Sequence, residues 1–298
     1  MTTDREDGRP ASTTAVLVCQ GRAAADGRHA PGRFADPVAV RLLREEERAV
    51  VEQVRAGQPP TGWSERSAYE TVRACAEVMA PRTVAIDDAI RSHPARQLVI
   101  LGAGLDDRAW RLAELGETVV WEVDHPASQQ DKRDRSDGLP PLTQTIHFCP
   151  VDFARDDLAT ALEASGHDPT TPTTWLWEGV VPYLTTEQVR TTLELVARRS
   201  APGSTLVLNY QSHSLRASVG RRLAGLVGAV GRGRSPLARE PWRTLLEPQQ
   251  VTSMLNRAGF AIETDTDLLT EAARLGMAPR ARTSLRTGRV AVATHSAS

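Results

Sequence analysis

The spacing of hydrophobic residues along this chain changes near residue 97. Before it, apolar residues step by three and four positions, which is the spacing of one helix face; they are Tyr69, Val72, Ala76 and Met79. Pro81 is expected to end that helix, because proline lacks a backbone N–H. After residue 97, short apolar runs of strand length alternate with segments of helical spacing. This alternation is typical of a parallel sheet with helices on both faces.

Seven segments are predicted as strands. They are residues 98–101, 119–123, 146–151, 174–177, 205–208, 261–264 and 290–293. Thr185 and Gln188 have the spacing of a capping box at the start of the helix after the fourth strand. We therefore expect an α/β fold with a doubly wound sheet over residues 97–298 and a helical N-terminal cap over residues 1–96.

A segment rich in arginine interrupts this pattern after the fifth strand. Residues 211–239 contain six arginines, among them Arg216, and neither aspartate nor glutamate. Leucine and valine recur every four positions from residue 215 to residue 227, as on an amphipathic helix. Because open α/β sheets bind ligands where strands end, we interpret residues 211–246 as a lid insertion. A solvated basic helix face is the alternative.

Composition limits the classes of partner. The 298 residues include 36 Lys and Arg against 37 Asp and Glu, so the formal net charge is −1. No overall positive field attracts nucleic acid or anionic lipid, and no apolar run reaches the length of a membrane span. The cysteines and histidines are widely spaced, which predicts neither a disulfide framework nor a metal site. The first residues do not resemble a signal peptide, so we expect a cytoplasmic protein.

A glycine-rich turn after the first predicted strand indicates a nucleotide-like ligand. Gly102, Ala103 and Gly104 allow close approach of the backbone to a ligand. A dinucleotide fingerprint would have glycine or alanine at position 107, but Asp107 would repel a pyrophosphate. Asp124, 20 residues after Gly104, can accept hydrogen bonds from a ribose diol. This combination favours S-adenosylmethionine over NAD; the alternatives are a turn without a ligand and, for Asp124, a helix N-cap.

Six short motifs resemble one family in their order. They are residues 34–37 (FADP), 82–87 (RTVAID), 101–106 (LGAGLD), 122–126 (EVDHP), 151–153 (VDF) and 177–180 (WEGV). Together they resemble the leucine carboxyl methyltransferase-like S-adenosylmethionine-dependent methyltransferases, which include bacterial polyketide carboxyl O-methyltransferases. The resemblance covers about residues 13–210, with a weaker match at residues 240–242. It implies a class I methyltransferase fold, Rossmann-like, with S-adenosylmethionine as cofactor.

The resemblance also implies how the chain holds the methionine part of the cofactor. Arg82 matches the family arginine that pairs with the methionyl carboxylate, and Arg22 is a second candidate for the same role. Glu178 matches the residue near the amino end, where a carboxylate can accept from the ammonium. A glutamate buried there without such a role would be costly. The alternative for Arg82 is a surface arginine at the start of a helix.

For the adenosine part, the resemblance implies a second set of residues. Asp124 matches the ribose ligand, and His125 follows it in the same motif as a further cofactor-binding residue. Asp152 matches the residue that accepts from the adenine amino group, with Phe153 beside the ring. The alternative for Asp152 is a helix N-cap.

The residues that would meet the methyl acceptor are less well defined. A carboxylate acceptor is ionised at neutral pH and needs no base, whereas a phenol would profit from one. Tyr210 and His213 are the candidate catalytic bases, and Tyr183 is a candidate wall of the substrate site. Arg216 and its neighbouring arginines favour an anionic acceptor. A packing role for Tyr210 and a solvated loop position for His213 are the alternatives.

These observations predict an S-adenosylmethionine-dependent O-methyltransferase. Its acceptor is expected to be a carboxylate or hydroxyl of a small molecule, in secondary metabolism. Methylation of a protein or peptide C-terminal carboxylate is a second hypothesis, and a non-catalytic S-adenosylmethionine-binding protein is a third. RNA binding is disfavoured because residues 211–239 contain no Phe, Tyr or Trp. Nothing in the sequence indicates the oligomeric state.

Overall fold

Seven strands form one sheet in the order β3-β2-β1-β4-β5-β7-β6. The computed structural model describes residues 12–153, 155–212 and 243–296. Strands β1 to β5 run parallel, and β7 lies between β5 and β6 and is antiparallel to both. The strands are β1 Gln97–Leu101, β2 Val119–Asp124, β3 Thr145–Pro150, β4 Thr173–Trp177, β5 Thr205–Gln211, β6 Phe260–Asp267 and β7 Gly288–His295. The predicted seven-stranded, mostly parallel sheet is confirmed.

Helices precede the sheet and connect its strands, as parallel pairing requires. In the described residues they are α1 Thr13–Ala25, α2 Glu45–Ala56, α3 Trp63–Ser92, α4 Arg108–Arg111, α5 Pro126–Ser136, α6 Leu158–Ala164, α7 Thr186–Arg198, α8 Pro248–Arg257, α9 Leu268–Arg274 and α10 Arg282–Thr287. Short 3-10 helices lie at Ala39–Leu42, Ala113–Leu115 and Val181–Tyr183. The segment between β5 and α8 that includes most of the predicted lid insertion, residues 213–242, lies outside the described residues.

The sheet separates two hydrophobic cores. Leu98 and Ile100 of β1 belong to the core beneath the N-terminal helices, whereas Val99 and Leu101 belong to the core beneath α6, α7 and α8. Alternate residues of a strand point to opposite faces, so both faces of β1 must be apolar. This explains why the first strand is a continuous run of apolar residues from position 98 to 101 rather than an alternating pattern.

The N-terminal helices share a core with the sheet. Cys19 of α1, Val51 of α2 and Ile86 of α3 are fully buried in the same cluster as Leu98 of β1. Helix α1, which begins directly after Ser12, is therefore packed against the same core as α2, α3 and β1. The proposed division into a cap over residues 1–96 and a core over residues 97–298 stays a prediction.

Helix α3 corrects one sequence prediction. It was expected to end at Pro81, but it continues through Pro81 to Ser92. Proline removes one hydrogen bond from a helix interior, which is a local cost. The buried face of the helix extends on both sides of it, with Ala76 and Ala80 before and Val84 after. Burial of this longer apolar face outweighs the lost hydrogen bond.

The start of α7 is fixed as predicted. Thr185 Oγ1 accepts from the backbone N–H of Gln188 at 3.2 Å, and Gln188 Oε1 accepts from the backbone N–H of Thr185 at 2.8 Å. These two bonds satisfy N–H groups that have no partner within the helix. The helix then buries Val189, Leu193 and Val196 against the sheet.

The described residues contain neither a helix that could span a membrane nor a cluster of metal-ligand side chains. Within residues 12–153, 155–212 and 243–296, no helix is long and apolar enough to cross a membrane. In the same ranges, no three His, Cys, Asp or Glu side chains converge as metal ligands. Cys19, Cys75 and Cys149 are free thiols, and burial raises the pKa of each, so they are protonated at neutral pH.

The single lysine of the chain is buried in an ion pair next to β2. Lys132 Nζ on α5 lies 2.5 Å from Glu122 Oε2 on β2, and both side chains are 1% exposed. The same ammonium lies 5.2 Å from the centre of the Trp110 ring, within the range of a cation–π contact. Burial raises the pKa of the Glu122 carboxyl to about 7 even though Lys132 opposes the shift. Each of the two buried side chains is therefore the counter-ion that allows the other to be buried.

Replacing Lys132 by methionine is expected to lower the free energy of unfolding by about 3–5 kcal/mol, because Glu122 would be buried without a counter-ion. Without Lys132 the pKa of the buried Glu122 carboxyl should rise further, because Lys132 lowers it in the wild type. The loss of stability relative to the wild type should therefore be larger at alkaline pH, where the unpaired carboxyl is ionised, than at acidic pH, where it holds a proton. Urea unfolding followed by circular dichroism measures the change. The double variant Lys132→Met, Glu122→Gln is the control and should recover most of the loss. A Lys132→Met protein as stable as the wild type would contradict this account.

Candidate functional site

A cavity of about 210 Å³ opens at the carboxyl ends of β1, β2 and β4. The strand order reverses there, because β2 and β3 lie on one side of β1 and β4 and β5 lie on the other. Open α/β sheets bind ligands in the crevice that such a reversal creates. Its walls include the turn after β1, the end of β2, the segment after β4 and helix α1. The structure thus brings together Gly102, Asp124 and Glu178, which the sequence placed after three different strands.

The glycine-rich turn is shaped by its neighbours. Gly102 and Gly104 have φ of +71° and +48°, a region that favours glycine. A Cβ atom on Gly102 would lie 2.3 Å from Val180 Cγ2, and one on Gly104 would lie 3.0 Å from the Cβ of Ala15. The backbone N–H groups of Gly102 and Ala103 both donate to the carbonyl of Val123. Because these two positions lack a side chain, Val180 can pack against the turn at Gly102, and Ala15 of α1 can pack against it at Gly104.

Asp124 is fixed at the end of β2 by two backbone donors. Its Oδ2 accepts from the N–H of Gly104 at 2.5 Å, and its Oδ1 accepts from the N–H of His125 at 2.6 Å. A carboxylate has further lone pairs with which it can accept from a ligand. Burial raises the pKa of Asp124 in spite of these donors. The N-cap of α5 is His125, which accepts from the N–H of Ala127, so the N-cap alternative for Asp124 is wrong.

Arg82 and Glu178 form a buried ion pair at the other end of the cavity. Arg82 Nε, in the interior of α3, lies 2.7 Å from Glu178 Oε1, and their side chains are 9% and 11% exposed. Arg82 is therefore not the surface arginine that was the alternative. Burial alone would raise the pKa of Glu178, but Arg108 and Arg82 lower it to about 2. The pair offers a fixed cation and a fixed anion side by side.

Arg22 lines the cavity but is already bound on several sides. Its Nε donates to Asp36 at 2.8 Å, and its Nη2 donates to the carbonyl of Leu105 at 2.7 Å and to Asp107 at 3.2 Å. Asp107 is 1% exposed, lies between Arg22 and Arg111, and is not among the residues that line the cavity. Its charge is paired inside the protein. The sequence argument that Asp107 would repel a pyrophosphate is therefore not supported.

The predicted adenine residues are only partly at the cavity. Phe153 lines it and is 38% exposed. Asp152 precedes Phe153 but is not among the lining residues, and its backbone N–H donates to Asp156 at 2.8 Å. The N-cap of α6 is Asp157, so the N-cap alternative for Asp152 is wrong. His125 likewise lies next to a lining residue without being one itself.

Tyr183 is at the cavity, as predicted for a substrate wall. It belongs to the 3-10 helix Val181–Tyr183 that follows Glu178. The backbone N–H of Arg243 donates to the carbonyl of Pro182 at 2.7 Å, and the hydroxyl of Thr244 donates to the carbonyl of Leu184 at 2.5 Å. The chain leading into α8 thus holds the Tyr183 turn in place.

Tyr210, one of the two candidate bases, is not among the residues that line the cavity. Tyr210 is fully buried, donates to Asp265 Oδ2 at 2.6 Å and accepts from Arg289 Nε at 3.0 Å. Burial and Asp265 raise the pKa of its hydroxyl, which opposes a role as a base. Tyr210 is not among the lining residues, so the packing alternative fits its position. His213 and Arg216 lie outside the described residues.

Helix α1 contributes a wall that the sequence analysis missed. Thr14, Ala15 and Val18 line the cavity beside the glycine-rich turn. The signal in the sequence was Ser12, which caps α1 by accepting from the N–H of Ala15 at 3.3 Å. A serine before an apolar run is a recognised helix start. Asp106, in the turn itself, is a further lining residue that the sequence did not point to.

Comparison with known proteins finds a matching family and related chains. Residues 15–197 match the family described as leucine carboxyl methyltransferase. A candidate S-adenosyl-L-methionine-dependent methyltransferase of Mycolicibacterium vanbaalenii is 36% identical over 208 residues, which cover 67% of this chain and 68% of that protein. A relative of the same description from Mycolicibacterium gilvum is 38% identical over 202 residues, which cover 66% of this chain and 65% of that protein. The matched region thus spans about two thirds of these relatives.

Solved structures share the fold at low sequence identity. A DUF574 family protein from Streptomyces avermitilis has a TM-score of 0.58 at 12% identity, covering 96% of this chain and 98% of that one. A candidate methyltransferase from Thermobifida fusca has a TM-score of 0.51 at 16% identity, covering 98% and 97%. These likenesses show the fold alone, and they confirm the predicted class I methyltransferase architecture.

Gly102→Ala is expected to destabilise the protein more than Gly138→Ala. Both glycines have nearly the same φ, +71° and +72°, where a side chain costs about 1–2 kcal/mol. A Cβ on Gly138 would meet nothing within 4 Å, whereas one on Gly102 would force Val180 to move. Urea unfolding of both variants measures the difference. Equal losses would show that the close approach of Val180 is not required.

Proposed function

The chain belongs to the leucine carboxyl methyltransferase family of S-adenosylmethionine-dependent methyltransferases, and from this premise we propose that it methylates the carboxylate of a small molecule. The observation that supports the proposal most is the set of polar groups in one cavity. Arg82 and Glu178 stand at one end, and Asp124 stands beside the glycine-rich turn. A role in secondary metabolism stays a prediction.

The polar groups of the cavity fit S-adenosylmethionine. Its methionyl end is a zwitterion, for which Arg82 and Glu178 offer one charge of each sign. The Nε–H of Arg82 is close to Glu178 but lacks hydrogen-bond geometry, so it has no hydrogen-bond partner among the described residues. Buried donors are nearly always satisfied, and a ligand carboxylate would satisfy this one. Asp124 can accept from the ribose hydroxyls, and Phe153 offers a ring for the adenine.

When bound, S-adenosylmethionine would supply a methyl group on a cationic sulfonium: the acceptor oxygen would bond to the methyl carbon while the C–S bond breaks and its electron pair stays on sulfur, leaving S-adenosylhomocysteine. The chain's part is to hold the reacting groups in line, and positioning alone can lower such a barrier by several kcal/mol. Glu178 is ionised throughout the neutral range because its pKa is about 2. Arg82 and Glu178 are nearly buried, so their charges are weakly screened and fix the orientation of a zwitterion.

The lining residues favour a carboxylate acceptor. In the described part of the cavity wall, the ionisable side chains are Arg22, Arg82, Asp106, Asp124, Glu178 and Tyr183. Asp106 and Glu178 are paired with Arg108, and Asp124 accepts from two backbone N–H groups, so each of these carboxylates already has a partner and none is placed as a free base. A phenol would need a base, and Tyr210 is bonded to Asp265 away from the cavity. A carboxylate is ionised at neutral pH and needs none.

Asp124→Ala is expected to weaken S-adenosylmethionine binding by about 10- to 100-fold, since a hydrogen bond to a charged group contributes about 1.5–3 kcal/mol. Isothermal titration calorimetry measures the affinity. Because Asp124 also holds the N–H groups of Gly104 and His125, a thermal melt must show that the variant folds. Asp134→Ala, which removes an exposed aspartate bonded to Gln130, is the control and should bind like the wild type. Unchanged affinity of Asp124→Ala would refute the assigned ribose contact.

Methyl transfer to matched acceptors tests the proposed reaction. Small carboxylic acids, their primary amides, phenols of similar size and a peptide with a free C-terminus are each incubated with the protein and S-adenosylmethionine. Mass spectrometry is expected to show one added methyl group on the acids, lost again in alkali as from an ester, and none on the amides. Transfer only to phenols, or only to the peptide, would contradict the proposal that the acceptor is a small carboxylic acid. Tight binding of S-adenosylmethionine with no transfer to any acceptor would favour a non-catalytic binding protein.

A further inference from the structure

Arg108 connects the two polar walls of the cavity although it does not line the cavity itself. It is 2% exposed and lies at the first position of α4. Its Nη1 donates to Glu178 Oε2 at 2.8 Å and also to Asp106 Oδ2, and its Nε donates to Asp87 Oδ1 at 2.8 Å. Asp106 belongs to the glycine-rich turn and Glu178 follows β4. One guanidinium therefore bridges two segments that both line the cavity.

The partners of Arg108 are not equally dependent on it. Asp87 is also paired with Arg111 at 2.6 Å, and Glu178 is also paired with Arg82 at 2.7 Å. For Asp106, Arg108 is the ion-pair partner within the described residues. The backbone N–H of Arg108 donates to Asp106 as well, at 2.9 Å. Arg108 thus holds the turn twice, once through its main chain and once through its side chain.

The two oxygens of Glu178 have different partners. Oε2 is bound by Arg108, and Oε1 lies next to Arg82. A ligand carboxylate that takes over Arg82 would leave Glu178 with Arg108 as its counter-ion. Without Arg108, Glu178 Oε2 would lose its hydrogen-bond donor, and the ligand ammonium would meet a carboxylate whose orientation is no longer fixed. Of the two arginines on Glu178, Arg108 is the one that such a ligand leaves in place.

We propose that Arg108 is a positioning residue for the cofactor: it keeps Glu178 oriented and paired when Arg82 engages the ligand carboxylate, and it ties Glu178 to the glycine-rich turn through Asp106. The inference rests on the proposed function, since it assumes that the cavity binds S-adenosylmethionine. A planar guanidinium can hold several carboxylates at fixed angles, whereas an ammonium acts as a point charge. Lysine at position 108 should therefore replace it only in part.

The matched control for Arg108→Met is Arg111→Met. The Arg111 side chain is as buried as that of Arg108 and pairs with Asp36, Asp87 and Asp107, whereas no ion pair joins it to Asp106 or Glu178 in the described structure. Removing either arginine leaves buried carboxylates short of a partner, so both variants should lose thermal stability. Only the loss of Arg108 should act on the ligand through Glu178. A difference in affinity between the two variants thus separates positioning from general stabilisation of the fold.

The experiment is calorimetric titration of S-adenosylmethionine into the wild type, Arg108→Met, Arg108→Lys and Arg111→Met over a range of pH. The groups that face Glu178 are Arg82 from α3, Arg108 from α4 and Arg22 from α1. With Arg108 removed, the pKa of Glu178 should rise, and Glu178 must be ionised to accept from the ammonium. Binding by Arg108→Met is therefore expected to be about 10- to 100-fold weaker at neutral pH and to weaken further as the pH falls. Arg108→Lys should lie between Arg108→Met and the wild type, and Arg111→Met should keep the affinity and pH profile of the wild type.

Two results would overturn the inference while leaving the proposed function intact. One is wild-type affinity at every pH in Arg108→Met or, should that variant not fold, in Arg108→Lys. The other is an equal loss and an equal pH dependence in Arg111→Met, which would assign the effect to the stability of the charge cluster. Failure of the wild type to bind S-adenosylmethionine would instead refute the proposed function, and this inference with it.

Discussion

The structure depends on the pairing of charges that folding removes from water. Side chains no more than 11% exposed form a continuous cluster of ion pairs; its carboxylates are Asp36, Asp87, Asp106, Asp107 and Glu178, and its guanidinium groups are Arg22, Arg82, Arg108 and Arg111. A buried ion without a partner costs several kcal/mol. Helix α1, helix α3, the turn after β1 and the segment after β4 must therefore meet correctly, or none of these groups can be buried. The same elements form the walls of the cavity.

This cluster also sets the electrostatics of the site. With every group ionised, it holds one carboxylate more than it holds guanidinium groups. Burial and the nearby charge of Asp107 raise the pKa of Asp36 to about 7, so Asp36 can remove the excess by binding a proton. S-adenosylmethionine, with a sulfonium, an ammonium and a carboxylate, has a net positive charge. While Asp36 is ionised, the cluster beside the cavity has a small negative excess, which suits a cation of this kind.

The sequence predicted those parts of the site that local rules determine. Gly102 and Gly104 lie in the turn after β1, Asp124 ends β2 and Glu178 follows β4, and strand ends meet at one edge of a parallel sheet, so their convergence could be expected. The role of Glu178 came from the family resemblance. Helix α3 continues past Pro81 because its buried face extends on both sides of the proline. The local preference of proline to end a helix takes no account of such burial. The position of Tyr210 just after the fifth strand suggests a base, but its hydroxyl bonds to Asp265, 55 residues further along the chain. The role of Arg108 and the wall formed by α1 likewise depend on contacts between segments far apart in sequence.

The central claim is that the methionyl zwitterion binds between Arg82 and Glu178 while Asp124 holds the ribose. A crystal structure with S-adenosylhomocysteine tests it most directly, since that molecule has the same carboxylate, ammonium and ribose. We expect the ligand carboxylate on Arg82, the ammonium on Glu178, the ribose hydroxyls on Asp124, and Arg108 still bound to Asp106 and Glu178. A ligand bound elsewhere, or bound here with its carboxylate away from Arg82, would contradict the account.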